Sequence, residues 1–159
     1  MCSPITEILL PRVVSTELPH QSDLHEFVGE GDFLDCYAIP SDRTVREAAE
    51  IATAFPWWVR ALMTLRNLVV RPFGLSTEGP EATDKIGIFP IRSETETELV
   101  AGFNDRHLDF RIAILSHDEQ IHFATWVHPH NVGGRIYLGL VLPFHIIIIR
   151  HALGRLSRV

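Results

Sequence analysis

Apolar and polar positions along this chain change period several times, and each change marks a new kind of element. Residues 33–39 alternate, with Phe33, Asp35, Tyr37 and Ile39 on one side and Leu34, Cys36 and Ala38 on the other, which predicts a β-strand. Pro40, Ser41 and Asp42 interrupt the run. Thr44 with Glu47 three residues later matches a capping box, and Val45, Ala48, Ala49 and Ala52 follow at helical spacing, so a first helix is predicted over about residues 42–54. A second helix, with Pro56 in its first turn, carries Trp58, Ala61, Leu62, Leu65 and Val69 on its apolar face. Arg60, Thr64, Asn67 and Arg71 form its polar stripe, and Pro72 and Gly74 stop it.

After a polar loop at 72–85 the period shortens to two. Residues 86–91, 99–103, 108–115 and 121–127 read as successive antiparallel strands with turns at 93–98, 104–106 and 117–120. In the third of these Leu108, Phe110, Ile112 and Ile114 point toward a core, and Asp109 and Arg111 point away. Residues 133–156 are apolar on nearly all sides. They read as a long helix capped by Asn131 and kinked at Pro143, whose ring nitrogen has no proton to donate. The four isoleucines at 146–149 favour strands, which leaves a strand at 136–142 followed by a helix as the alternative. Residues 1–31 lack a sustained period and read as an extended N-terminal arm with a short turn near 22–27. Residues 32–159 then form a single domain.

A strand, two short helices, a run of antiparallel strands and a long C-terminal helix make an α+β order in which the helix covers one face of the sheet. The order resembles the helix-grip fold of the Bet v 1 and START-like (SRPBCC) superfamily. Phe55-Pro56-Trp57-Trp58 resembles the Pro-x-Trp element common in its bacterial members. The spacing of that element is similar to the bacterial family named as domain of unknown function 2867. So is the spacing of Leu65-Arg66-Asn67, of Gly102-Phe103-x-Asp105-Arg106-His107-Leu108-Asp109-Phe110-Arg111, of His130-Asn131, of Gly134-Arg135-x-Tyr137 and of Pro143-Phe144-His145. The resemblance implies a curved antiparallel sheet gripped by the C-terminal helix, with a cavity between them. It implies no mechanism.

Charge narrows the partners. Fourteen cationic and twenty acidic side chains leave a net charge of −6, which argues against a nucleic-acid surface. The N-terminus lacks a basic segment followed by an apolar one, so no signal peptide is read. The longest uncharged apolar run, 136–149, is 14 residues, short of the roughly 20 that cross a bilayer, so no membrane span is expected. Two cysteines, Cys2 and Cys36, make no disulfide framework and no Cys-x-x-Cys, which suits a reducing cytoplasm. No cofactor motif is present.

The candidate chemistry gathers in two clusters. Strand counting brings the turn after residue 103 and the end of the strand at 127 to one rim. There Asp105, Arg106, His107, His128, His130, Asn131 and Arg135 are expected to line a polar mouth over an apolar cavity, with Asp109 and Arg111 beside them. Arg66, Asn67, Tyr137 and His145, from the resembling motifs, complete the candidate ligand-binding set. The plain structural reading is that Asp105 makes the turn, Asp109 and Arg111 pair across strands, and Asn131 caps the helix. His107, His128 and His130 have the types of a zinc set, but His-x-His recurs by chance among nine histidines and no metal is assigned. Three functions stand open. One is the binding of a hydrophobic small molecule; the second is an acid/base enzyme of cyclase or isomerase type using His107 or His128 with Asp105. The third is a structural module whose cavity its own aromatics fill. An apolar helix with more surface than one sheet covers also predicts a homodimer.

Overall fold

The computed structural model describes residues 12–74 and 81–157. The first eleven residues of the expected arm, positions 75–80 of the expected loop and the last two residues lie outside the described residues. Seven strands form one curved antiparallel sheet: β1 (Val14–Ser15), β2 (Phe33–Pro40), β3 (Lys85–Ile86), β4 (Phe89–Glu94), β5 (Glu98–Asn104), β6 (Leu108–His117) and β7 (Gln120–Pro129). Their spatial order is β1-β2-β7-β6-β5-β4-β3, so β2 lies beside β7, far from it in sequence. Helices α1 (Val45–Thr53) and α2 (Trp57–Val70) follow β2, and α3 (Val132–Gly154) closes the chain.

Local chemistry accounts for the elements. The Thr44 hydroxyl accepts from the Glu47 amide and the Glu47 carboxylate accepts from the Thr44 amide, so the capping box starts α1. Its face of Val45, Ala48, Ala49 and Ala52 is buried against the sheet and α3. Asn131 caps α3 by accepting from the Gly134 amide at 2.9 Å. Pro143 sits inside that helix, and positions 136–142 are helical, not a strand. Apolar layers flank the sheet on both faces. On the inner face Ile39, Leu99, Ile114 and Ile121 meet α1 and the C-terminal half of α3 through Ile149, Ala152 and Leu153. On the outer face Cys36, Val100, Ala113, Ala124 and Trp126 are covered by Leu18, Leu24 and Phe27, from the segment before β2.

The expected strand 86–91 is two strands. Gly87, at φ 58°, turns the chain between β3 and β4, a left-handed step that alternation of apolar residues does not reveal. The β6–β7 turn is closed by Asp118 and Glu119, both left-handed at φ 50° and 59°.

The starts of α3 and the β5–β6 turn touch through a glycine. A Cβ on Gly134 would lie 2.3 Å from the His107 carbonyl oxygen, so this position admits no side chain while the helix keeps that approach. Close contact here sets the entry of α3 beside the rim.

Candidate functional site

Pairing of β6 with β7 sets Asp109 opposite His128 and Leu108 opposite Pro129, and the His130 amide donates to the His107 carbonyl at 2.9 Å. The two sequence clusters therefore share one end of the sheet. Alternation then divides them between its faces, because neighbours on a strand point in opposite directions.

On the outer face lies a connected polar network. Arg111 is 3% exposed; its guanidinium donates to Asn104 Oδ1 and to the Phe110 carbonyl, each at 2.7 Å, and lies over the rings of Phe27 (5.2 Å) and Trp126 (6.0 Å). Burial, reinforced by the charge of Arg92, lowers its pKa from the ordinary guanidinium value, and Asp109 opposes that shift. Asp32 ends the same row. Its carboxylate accepts from Trp126 Nε1 at 2.9 Å and the Gly29 amide at 2.8 Å, and pairs with His128 Nδ1 at 2.5 Å. Burial alone would raise the Asp32 pKa, but the His128, Gly29 and Trp126 hydrogen bonds outweigh it and hold the carboxyl below its ordinary value. His130 donates to Asp109 at 2.9 Å, and the rings of His128 and His130 meet edge to face.

The tip of the rim is tied to the turn after α2. His107 Nε2 donates to the Phe73 carbonyl at 3.2 Å, and the Asn131 amide donates to His107 Nδ1 at 3.2 Å. Asp105 Oδ1 accepts from the Arg106 amide, and Arg106 is exposed beside it. At this rim the carboxylates that hold imidazoles are thus Asp32, with His128, and Asp109, with His130. Asp105 does not hold His107, because the turn points that ring toward the end of α2. Other candidates brace helices. Arg66 donates to the Tyr137 hydroxyl at 2.7 Å and to Asn67 Oδ1 at 2.8 Å, which links α2 to α3, while His145 donates to Asp35 at 3.1 Å, which links α3 to β2.

A groove of about 350 Å³ opens at this rim between the start of β2, the end of β7 and the first turns of α3. Phe33, Pro129, Leu138 and Leu142 supply apolar walls and Arg135 supplies charge; Asp32 borders the groove with its carboxylate buried in the outer network. Arg135 is exposed and its guanidinium has no partner among the described residues. The remaining rim candidates therefore do not line one mouth: Asp109, Arg111, His128 and His130 belong to the outer face, and only Arg135 of the candidate set reaches the groove. A broader depression of about 670 Å³ at the opposite end of the sheet is lined by Thr44, Arg46, Glu94 and Glu96. Its Arg46 is already paired with Asp84 and Glu94.

Asp32, Phe33, Leu138 and Leu142 escape sequence reasoning. Asp32 follows a Gly29-x-Gly31 turn, which is visible, but its partners lie 94 and 96 residues away and meet it only through the β2–β7 pairing. Among the described residues no three His, Cys, Asp or Glu side chains converge as a metal would require; His107, His128 and His130 each have a different partner.

Residues 27–152 match the family described as protein of unknown function, DUF2867. The chain belongs to that family. Comparison with curated proteins and with solved structures finds no match. The matched span of this DUF2867 protein runs from Phe27, which covers Arg111, to Ala152 in the core. It therefore takes in the outer network, the rim and the groove together.

Proposed function

We propose that this DUF2867 protein is a helix-grip protein that holds a hydrophobic small molecule with a polar or anionic end between the rim of its sheet and the first turns of α3. The groove carries the reading: apolar walls lie next to an unpaired guanidinium, the usual make-up of a site for an amphipathic ligand. The strand order supports the fold part of it. A first long strand beside the last, an antiparallel meander between them, two helices after the first strand and a closing helix agree with a helix-grip arrangement. Packing supports the interior part. Phe89, Phe103 and Phe110 meet edge to face at 5.6 and 4.6 Å on the inner face and remain half-buried, whereas Ile114, Ile121 and Leu153 at the other end are fully buried.

Native mass spectrometry of the purified protein tests the reading directly, with a retained small molecule as the expected result. A fluorescent anionic naphthalene sulfonate provides a second test. Arg135→Gln and the groove-filling Leu138→Trp should each weaken its binding about tenfold with helix content unchanged. Unchanged binding in both variants, with no molecule retained, would overturn the proposal.

A second reading rests on one observation. Asp32 holds Nδ1 of a half-exposed His128, and no hydrogen bond to its Nε2 is found among the described residues, which is the orienter-and-base half of an acid/base site. It predicts turnover of a substrate held at the outer-face rim that His128→Gln abolishes, while binding of the naphthalene sulfonate in the groove through Arg135 persists.

A further inference from the structure

Thirteen large apolar side chains are exposed among the described residues, and ten of them sit on α2, the turn after it and α3. On α3 they recur as Val132, Ile136, Leu140, Phe144 and Ile147, which is one outward stripe at helical spacing. The two helices lie side by side and antiparallel: Trp58 meets His151 and Arg66 meets Tyr137. The exposed Leu65 and Leu68 of α2 and the stripe of α3 therefore form one apolar surface, with Trp57, 80% exposed, at its end.

Charge is as uneven as polarity. Residues 55–74 and 130–157 contain six arginines and no Asp or Glu, so the rest of the chain holds eight cationic side chains against all twenty acidic ones. Arg60, Arg71, Arg135 and Arg150 are exposed. An acidic protein thus joins an apolar face to a charge-biased pair of helices: Arg60 and Arg71 are exposed on α2 and the turn after it, while Arg150 lies over the Tyr37 ring and Arg135 opens onto the groove at the edge of the face. A second copy docked there would set arginines against arginines, whereas a leaflet with anionic headgroups supplies the opposite charge and an apolar layer beneath it.

We propose that the α2–α3 face is a docking surface for an anionic lipid bilayer, with the apolar stripe at acyl-chain depth and the arginines among the headgroups. Val132–Ser157 is long and apolar enough to cross a membrane, with 11% of its most apolar window buried. In this fold its inner face is part of the core through Ile149, Ala152 and Leu153, so it suits a helix lying in the plane of the surface.

Flotation of the full chain with vesicles of equal parts phosphatidylglycerol and phosphatidylcholine tests this. The protein should float with them, less at high salt and far less with phosphatidylcholine alone. Ile136→Glu with Leu140→Glu, both on exposed positions, should reduce recovery about tenfold or more with helix content unchanged. Arg60→Gln with Arg71→Gln should lower binding to the anionic vesicles and leave the weak binding to the neutral ones as it was. Failure to float with either vesicle overturns the proposal, and equal recovery with both overturns its anionic part. A stable dimer by light scattering that the Ile136 and Leu140 substitutions split, with no flotation, would assign the face to a second copy instead.

Discussion

Burial holds the His122 imidazole below its ordinary range, and Asp118 nearby does not offset this. The sign follows from proton linkage. A histidine with a depressed folded pKa binds fewer protons when folded, so its contribution is intact above about pH 6.5 and is lost as pH falls below that value. Denaturant midpoints measured from pH 7 down to pH 5 should fall, and His122→Leu should flatten that slope. The Cys36 thiol, buried and with the Asp35 charge close by, is pushed up to about 12. A thiol-alkylating reagent at neutral pH should leave Cys36 unmodified in peptide maps until denaturant is added. Gly134 tests packing at the rim. Gly134→Ala sets a methyl group against the His107 carbonyl and should cost about 1–3 kcal/mol, read as a lower midpoint and as loss of protection at the start of α3. Gly134 is visible in the sequence, but its reason, the approach of a carbonyl from another element, is not.

Two devices act through whole elements. The segment covering the outer face is clamped by Glu98, 5% exposed, whose carboxylate accepts from the Ser22 hydroxyl and, at 2.8 Å, from the Asp23 amide. Glu98→Ala removes two hydrogen bonds to a buried charge, a loss of about 1.5–3 kcal/mol each at most. Hydrogen exchange should speed up across residues 18–27 while α3 amides keep their protection. The β6–β7 turn offers the opposite case. Asp118 and Glu119 both stand in left-handed backbone, and replacing them with Asn-Gly should stabilise by about 1 kcal/mol, or roughly 2–4 °C in Tm for a domain of this size. The helices and β5 to β7 were legible because each carries a sustained period and, for α1 and α3, a cap. The β3–β4 break was hidden because one left-handed glycine makes it, and the covering role of residues 18–27 was hidden because a segment without a period reveals nothing of what it packs on.

Across the whole molecule, alternation along β6 and β7 established which side chains face apart, and that was readable: Phe110, Ile112 and Ile114 inward, Asp109 and Arg111 outward. The meeting of the two polar clusters at one rim also follows from counting antiparallel strands of known length. The pairing of β2 with β7 does not follow from any local pattern, since it joins residues eighty or more positions apart. With it come the Asp32–His128 pair, the Asp32–Trp126 bond and the groove wall at Phe33. The expectation that α3 is apolar on every side was a property of composition. Which of its sides meets the sheet, and which is left to water or lipid, depends on where the sheet ends and α2 lies. By itself the sequence determined the elements, their order and the two polarities of each strand, because these rest on spacing and caps within a few residues. Tertiary structure decided which carboxylate holds which imidazole, which residues line the groove and which face stays uncovered, because each depends on contacts that exist only once distant segments pack.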